Sequence, residues 1–186
     1  MTETAAQAAP QLAGDYQIDP AHSRIGFTAR HAMVTKVRGS FGEFSGSAHI
    51  DTGNPSASPT EIAISTPSFT TNQEQRDGHV KSGDFLDVES FPQITFRSTA
   101  VEVDGEVFRI TGDLTVKDVT KPITVDFEHN GVAIDPFGNV RAGFEGTATI
   151  NRKDYGITFN AALETGGVLV SEKIGLEFDI SAIKQA

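Results

Sequence analysis

The chain is predicted to be all-β, with eight or nine strands arranged as a closed barrel or a β-sandwich and one short helical insertion. Three observations predict this. Apolar and polar residues alternate with a period of two, as in Phe44-Ser-Gly-Ser-Ala-His-Ile50, where one face reads Phe44, Gly46, Ala48 and Ile50, the pattern of a half-buried strand. Turn-forming residues recur at hairpin spacing between such runs. Only the stretch around residues 72–86 breaks the rhythm.

Taken in order, Ile25, Phe27 and Ala29 alternate with Arg24, Gly26, Thr28 and Arg30 after Asp19-Pro20 and form the first clear strand. Val37, Gly39 and Phe41 carry the second, and Gly42 is expected to bend it into the 44–50 run. The breaker-rich segment 52–59 reads as an exposed loop. Ile62, Ile64 and Thr66 follow, ended by Pro67. Asn72 with Gln75 three places on resembles a capping box and predicts a helix from Asn72 to about Leu86. Gly78 and Gly83 each cost about 1 kcal/mol relative to Ala in a helix interior, so this helix should be short and held by packing.

Ile94, Phe96 and Ser98, then Val101 and Val103, lead to the hairpin signal Asp104-Gly105. Phe108, Ile110, Gly112, Leu114 and Val116 return on one face, and residues 119–122 read as a break before Ile123, Val125 and Phe127. Residues 135–139 turn the chain into a run whose inner face is Val140, Ala142, Phe144, Gly146, Ala148 and Ile150, and Ile174, Leu176, Phe178 and Ile180 make the last strand. A meander of this many strands removes its edges by closing into a barrel, which at eight strands is wide enough to hold one small ligand. Pairing of the last strand with the first decides between barrel and sandwich.

Small residues recur on the inward face, and they leave volume that something must occupy. A void of about 300–400 Å³ would cost roughly 7–10 kcal/mol at 24 cal/mol per Å³, comparable to the stability of a whole domain. Either the thirteen Phe side chains close the gap, or an apolar guest belongs there.

At 186 residues the chain is long enough for one sizeable core, so a single domain over 14–186 is expected behind a flexible tail at 1–13. A net charge of −10 argues against nucleic acid, which needs concentrated Lys and Arg. No basic stripe is visible along the chain, and the same charge disfavours adsorption to an anionic membrane. No run of apolar residues is long enough to span a bilayer. Cysteine is absent, which removes disulfides and thiolate chemistry. The N-terminal residues lack the basic and apolar regions of a signal peptide, so a cytoplasmic location is expected.

Five histidines, His22, His31, His49, His79 and His129, invite a metal reading, but none forms a zinc-enzyme ligand pair and no metal is expected. Asp19, His22 and Ser23 are close in sequence, which is not triad geometry; a turn in which Asp19 and Ser23 bond local backbone N–H groups accounts for them. There is no nucleophile elbow, phosphate-cradling loop or dinucleotide fingerprint, and no cofactor is expected. Three cationic clusters sit at element ends, where a barrel mouth is built: Arg30 with His31, His79 with Lys81, and Arg152 with Lys153. They are candidate contacts for a ligand head group, with His79 and Arg30 foremost.

The chain also resembles the YceI-like family of lipocalin-like polyisoprenoid-binding proteins. The resemblance is carried by Tyr16-Gln-Ile-Asp-Pro-Ala-His-Ser-Arg-Ile-Gly-Phe27, Val37-Arg-Gly-Ser-Phe41, Phe44-Ser-Gly46 and Arg76-Asp-Gly-His-Val-Lys-Ser-Gly-Asp-Phe-Leu-Asp87. It continues through Phe91-Pro-Gln-Ile-Thr-Phe-Arg-Ser98, Gly112-Asp-Leu-Thr-Val-Lys-Asp-Val-Thr-Lys-Pro122 and Ile150-Asn-Arg-Lys-Asp-Tyr-Gly156. It implies an extended eight-stranded antiparallel lipocalin-like barrel whose pore holds a long isoprenoid chain, with no enzymatic activity established for the family. One departure is Phe85-Leu86, where the family often has two consecutive aromatic residues.

The residue pattern leaves room for an apolar guest, and the resemblance implies that this guest is an isoprenoid lipid or quinone-like tail, bound, transported or stored without catalysis. The expected wall contacts are Phe27, Phe41, Phe44, Ala48, Phe85, Phe96, Leu114, Phe127, Ala142, Phe144, Ile174, Leu176 and Phe178. Replacing Gly46 or Ala142 by Phe is expected to block the channel. The alternatives are an enzyme using His79 or His22 with a carboxylate on an apolar substrate, and a filled barrel acting as a stress-response interaction module. Exposed strand edges would allow a homodimer.

Overall fold

The computed structural model describes residues 12–164 and 166–186. Its strands are β1 (Gly14–Ile18), β2 (Arg24–His31), β3 (Thr35–Phe41), β4 (Phe44–Ile50), β5 (Thr60–Ser65), β6 (Phe69–Thr70), β7 (Gln93–Asp104), β8 (Val107–Val116), β9 (Val119–Ile134), β10 (Val140–Asn151) and β11 (Lys173–Lys184), with helix α1 (Glu74–Lys81) after β6. Most of the expected tail lies outside the described residues. At its end, the Leu12 carbonyl accepts a hydrogen bond from the Tyr16 hydroxyl at 2.8 Å.

The observation that separates barrel from sandwich is present: β11 pairs with β1 through Ile183↔Gln17 and with β2 through Leu176↔Phe27. One long strand therefore meets both halves of a bent one. The bend is the 3-10 turn Pro20–His22 between β1 and β2. The next two staves bend likewise, β3 into β4 at Gly42-Glu43, and β5 into β6 at the turn Thr66–Ser68. Counting each bent pair once gives eight antiparallel staves closed in a ring.

Inside, the alternation points Ile25, Phe27, Ile62, Ile64, Val125 and Phe127 into the lumen. Outside, Arg97, Glu102, Arg109, Asp126 and Glu128 are exposed. A charged exterior and apolar interior reverse the arrangement of a membrane-spanning barrel. No helix among the described residues is long and apolar enough to cross a membrane. Two register shifts, one after Ser98 in β7 and one beside Gly143 and Phe144 where β10 meets β9, each insert a residue and change which parity faces inward. This is why Phe96 and Val101, five positions apart, are both buried.

Some boundaries differ from the sequence reading. The helix is Glu74–Lys81, and its cap is Gln73, whose side chain accepts from the Arg76 N–H. Asn72 instead takes the left-handed conformation at φ 60°. Residues 119–122 do not break the chain, because β9 runs through Pro122 opposite Asp113; the turn is Lys117-Asp118, with Lys117 at φ 57°. The 52–59 loop is exposed except at Pro55, which is half-buried, and Ser58, which is buried and accepts from the Asp51 N–H at 2.9 Å.

Candidate functional site

A cavity of about 780 Å³ occupies the barrel interior, in the upper part of the range usual for ligand sites. The sequence left open whether Phe side chains or a guest fill the space beside the inward glycines, and at the glycines themselves that space is not vacant. A Cβ on Gly39 would lie 2.3 Å from Phe27 Cε1, one on Gly112 would lie 2.5 Å from Phe96 Cζ, and one on Gly146 would lie 2.8 Å from Phe127 Cδ1. Each ring takes the space of the side chain that a glycine on the neighbouring strand lacks, directly opposite for Gly39 and Gly146 and diagonally for Gly112, so it lies along the wall instead of across the lumen. The rings then pack on one another, Phe27 with Phe69 at 4.9 Å and Phe127 with Phe178 at 5.6 Å between centroids. The open volume is the axis that remains.

Of the expected wall residues, Phe27, Phe41, Ala48, Phe85, Phe96, Leu114, Phe127, Phe144, Ile174, Leu176 and Phe178 line the cavity. Phe44 and Ala142 are not among the lining residues. Phe44 follows the bend at Gly42-Glu43 and is buried, and Ala142 is wholly buried opposite Val132 and Ala182. Gly46 offers no room either, since a Cβ there would meet Ile18 Cδ1 at 2.5 Å and the Glu61 carbonyl at 2.9 Å. Phe at 46 or 142 would therefore disrupt wall packing and does not measure channel width.

The α1 end of the barrel was only partly read from sequence. His79, Phe85 and Phe159 form a three-ring cluster with centroids 5.0–5.3 Å apart, and Ile157, Phe159, Leu169 and Val170 line the cavity from the 156–172 connection. Ile157 and Phe159 alternate with Thr158, a signal of two residues that is too short to separate from loop. Arg76, which also lines the cavity, is held by the Thr71 hydroxyl at 2.7 Å.

The candidate head-group residues divide. Arg30, His31 and His79 line the α1 end and are exposed there, with Gln73 and Gln75, so the lumen meets solvent at this end. His79 Nε2 is 2.8 Å from Asp84. Lys81 is not among the lining residues. Arg152 lines the cavity but is buried, and its guanidinium donates to the carbonyls of Ser171, Ile157, Phe159 and Val170 at 2.8–3.3 Å. Its donors organise the 156–172 connection, and burial pushes its pKa down. Lys153 is paired with Glu172 at 2.7 Å.

Near the opposite end, His129 contacts Phe144 and Phe108 at 5.0 and 6.0 Å, and its Nε2 is buried with no hydrogen-bond partner. Burial pushes its pKa down. Asp19 and Asp135 are both held below the usual carboxylate range by Arg141, which lies 2.7 Å from each. Asp19 caps the local Ala21 N–H as expected, whereas Ser23 bonds Ser181 on β11. His22, on the outer surface, is not among the cavity-lining residues. Among the described residues no group of three His, Asp or Glu side chains could hold a metal ion.

The chain and its fold have counterparts among known proteins. The model of the YceI-like domain matches residues 16–182. The chain belongs to the YceI-like family. A UPF0312 protein of Pseudomonas aeruginosa is 40% identical over 184 residues, covering 98% of this chain and 92% of that protein. Two solved structures share the YceI-like fold: Burkholderia cenocepacia BcnA (TM-score 0.77, 22% identity, 88% of this chain and 98% of that one) and a polyisoprenoid-binding domain of Saccharophagus degradans (TM-score 0.68, 14% identity, 91% and 98%).

Proposed function

We propose that this YceI-like protein binds a long isoprenoid lipid in its lumen and carries or stores it without chemical change. The observation that supports this reading most is the apolar cavity of about 780 Å³. At about 30 Å³ per heavy-atom-sized group, the share of one water in the liquid, that volume takes on the order of 25 heavy atoms. Emptied, it would cost roughly 19 kcal/mol by the cavity coefficient, more than a typical domain's stability. Water is a poor filling, because it needs polar partners that an apolar wall lacks. A branched hydrocarbon chain suits the site, since each buried methylene contributes about 0.8 kcal/mol.

Holding such a tail requires no reacting group. Head-group contacts fall to Arg30, His31 and His79 at the α1 end. The Saccharophagus domain, named for polyisoprenoid binding, supports the ligand class through shared fold.

The experiment is organic extraction of purified protein followed by mass spectrometry, and then titration of the extracted protein with a dispersed polyprenol. An apolar lipid in the extract, or saturable uptake of one prenol per chain, is the expected result. No lipid carried and none taken up would overturn the reading. Chemical alteration of the bound prenol, abolished by His79→Ala with binding retained, would favour an enzyme instead.

A further inference from the structure

The hairpin β2–β3 stands apart from the rest of this acidic chain. From Pro20 to Gly42 there is no carboxylate, although the chain holds 25 Asp and Glu. On the outer face of the hairpin Arg30 is directly opposite Lys36, and Arg38 is opposite Thr28. Like charges facing each other across a strand pair are unfavourable. Among the described residues none of these three cations has a carboxylate partner, whereas Arg24 on the same strand is paired with Glu177 at 3.1 Å.

The tip carries a second anomaly. Ala32 and Met33 adopt φ 49° and 64°, a conformation that favours Gly and Asn. Here it is given to apolar residues. Met33 and Val34 are 61% and 75% exposed. Met33 borders the 161–169 turn, since a Cβ on Gly167 would lie 2.5 Å from its sulfur. The tip also adjoins the mouth, because Arg30, His31 and Thr35 line the lumen.

We propose that this hairpin docks the protein on an anionic phospholipid bilayer, with Met33 and Val34 entering the headgroup layer and Arg30, Lys36 and Arg38 facing lipid phosphates. An exposed apolar tip beside unpaired cations fits an interface that is apolar below and anionic above. A nucleic acid would use the cations and leave the tip unexplained. The far end of the barrel, with Glu102, Asp104, Glu106 and Glu128 exposed, is repelled by the same surface and turns the mouth towards it. Glu74 and Asp84 on the α1 side and Glu164 in the neighbouring turn are exposed carboxylates, so contact is confined to the hairpin side of the mouth. The role rests on the lipid-binding reading, since docking there brings the lumen to the membrane from which a lipid would enter.

The test is co-flotation of the full chain with vesicles of phosphatidylglycerol mixed into phosphatidylcholine, beside pure phosphatidylcholine vesicles and a single-stranded oligonucleotide. Binding to the mixed vesicles that weakens with salt is expected. Each Lys or Arg at an anionic surface is worth about 1 kcal/mol, roughly fivefold, so Lys36→Gln with Arg38→Gln should weaken partition roughly 25-fold. Met33→Ser with Val34→Ser should weaken it further at high salt, where charge is screened. Both pairs should take up dispersed prenol as the parent does. Unchanged flotation of both pairs, no binding to the mixed vesicles, or binding to the oligonucleotide alone overturns the proposal. Flotation as expected without prenol uptake would leave docking standing and remove the carrier reading.

Discussion

At the residue scale the lumen depends on which side chain faces each glycine. Gly146 is opposite Phe127 on β9, and a Cβ there would meet that ring at 2.8 and 3.0 Å and the Asp126 carbonyl at 3.1 Å. Gly146→Val must therefore push the Phe127 ring off the wall and into the channel. Overpacking of this kind typically costs about 1–3 kcal/mol. The expected outcome is a folded protein, by circular dichroism, with a lowered melting temperature and a reduced maximum prenol length; uptake of the longest prenol at parental stoichiometry would show that the ring does not guard the lumen. The small inward residues were legible in the sequence because they keep strand parity. Their meaning was not. Whether Gly146 is vacant or covered is decided by the residue across from it, and cross-strand register is absent from a linear reading. The same limit placed Ala142 in the channel when it is sealed between β9 and β11.

At the scale of elements, α1 covers one end of the barrel without a favourable helix sequence, having Gly78 in its interior. Its anchor is Asp77, buried, accepting from the Thr71 N–H at 2.8 Å, from the Thr71 hydroxyl and from the Thr70 hydroxyl at 3.2 Å. Burial alone would raise the Asp77 pKa, but the bonds from Thr71 and Thr70 outweigh it and hold the carboxyl below its usual range. The unfolded chain binds that proton near pH 3.9, so the stabilisation is complete above that pH and is lost as pH falls through the lower, folded value. Asp77→Ala strands the Thr71 donors and should cost about 1–3 kcal/mol at neutral pH, an increment that shrinks in acid. Amide hydrogen exchange should quicken across 74–92 and leave β7–β10 unchanged; uniform exchange in the variant would count against a local anchor. The presence of this helix was legible because the alternation stops at residue 71. Its cap was not, since Asn serves both as N-cap and in the left-handed conformation, and here Asn72 takes the second role while Gln73 takes the first.

At the scale of the whole molecule, the count of eight or nine strands was legible, but the bends that turn eleven segments into eight staves were only partly so. Gly42 marked one. The bend between β1 and β2 is held by Arg141, which reaches Asp19, Asp135 and the Ser181 hydroxyl from β10, a contact spanning more than a hundred residues. The basic hairpin face was missed for a similar reason: Arg30, Lys36 and Arg38 are scattered in sequence and converge only when β2 and β3 pair. Closure also couples stability to contents. A ring of staves around an axis of about 780 Å³ lacks the central packing that a filled core of this size would have, so on the lipid-binding reading a guest would supply part of the core. Ligand binding to the folded state adds RT ln(1 + [L]/Kd), about 2.7 kcal/mol at a hundredfold excess over Kd. For a chain of this length each kcal/mol moves the melting temperature by about 2–4 °C, so extraction should lower it by about 5–10 °C and added prenol should restore it in proportion to the logarithm of its concentration. Differential scanning calorimetry of extracted and reloaded protein measures this. A melting temperature indifferent to prenol would mean that the folded and unfolded chains do not differ in their hold on it, and the lumen would then need another occupant.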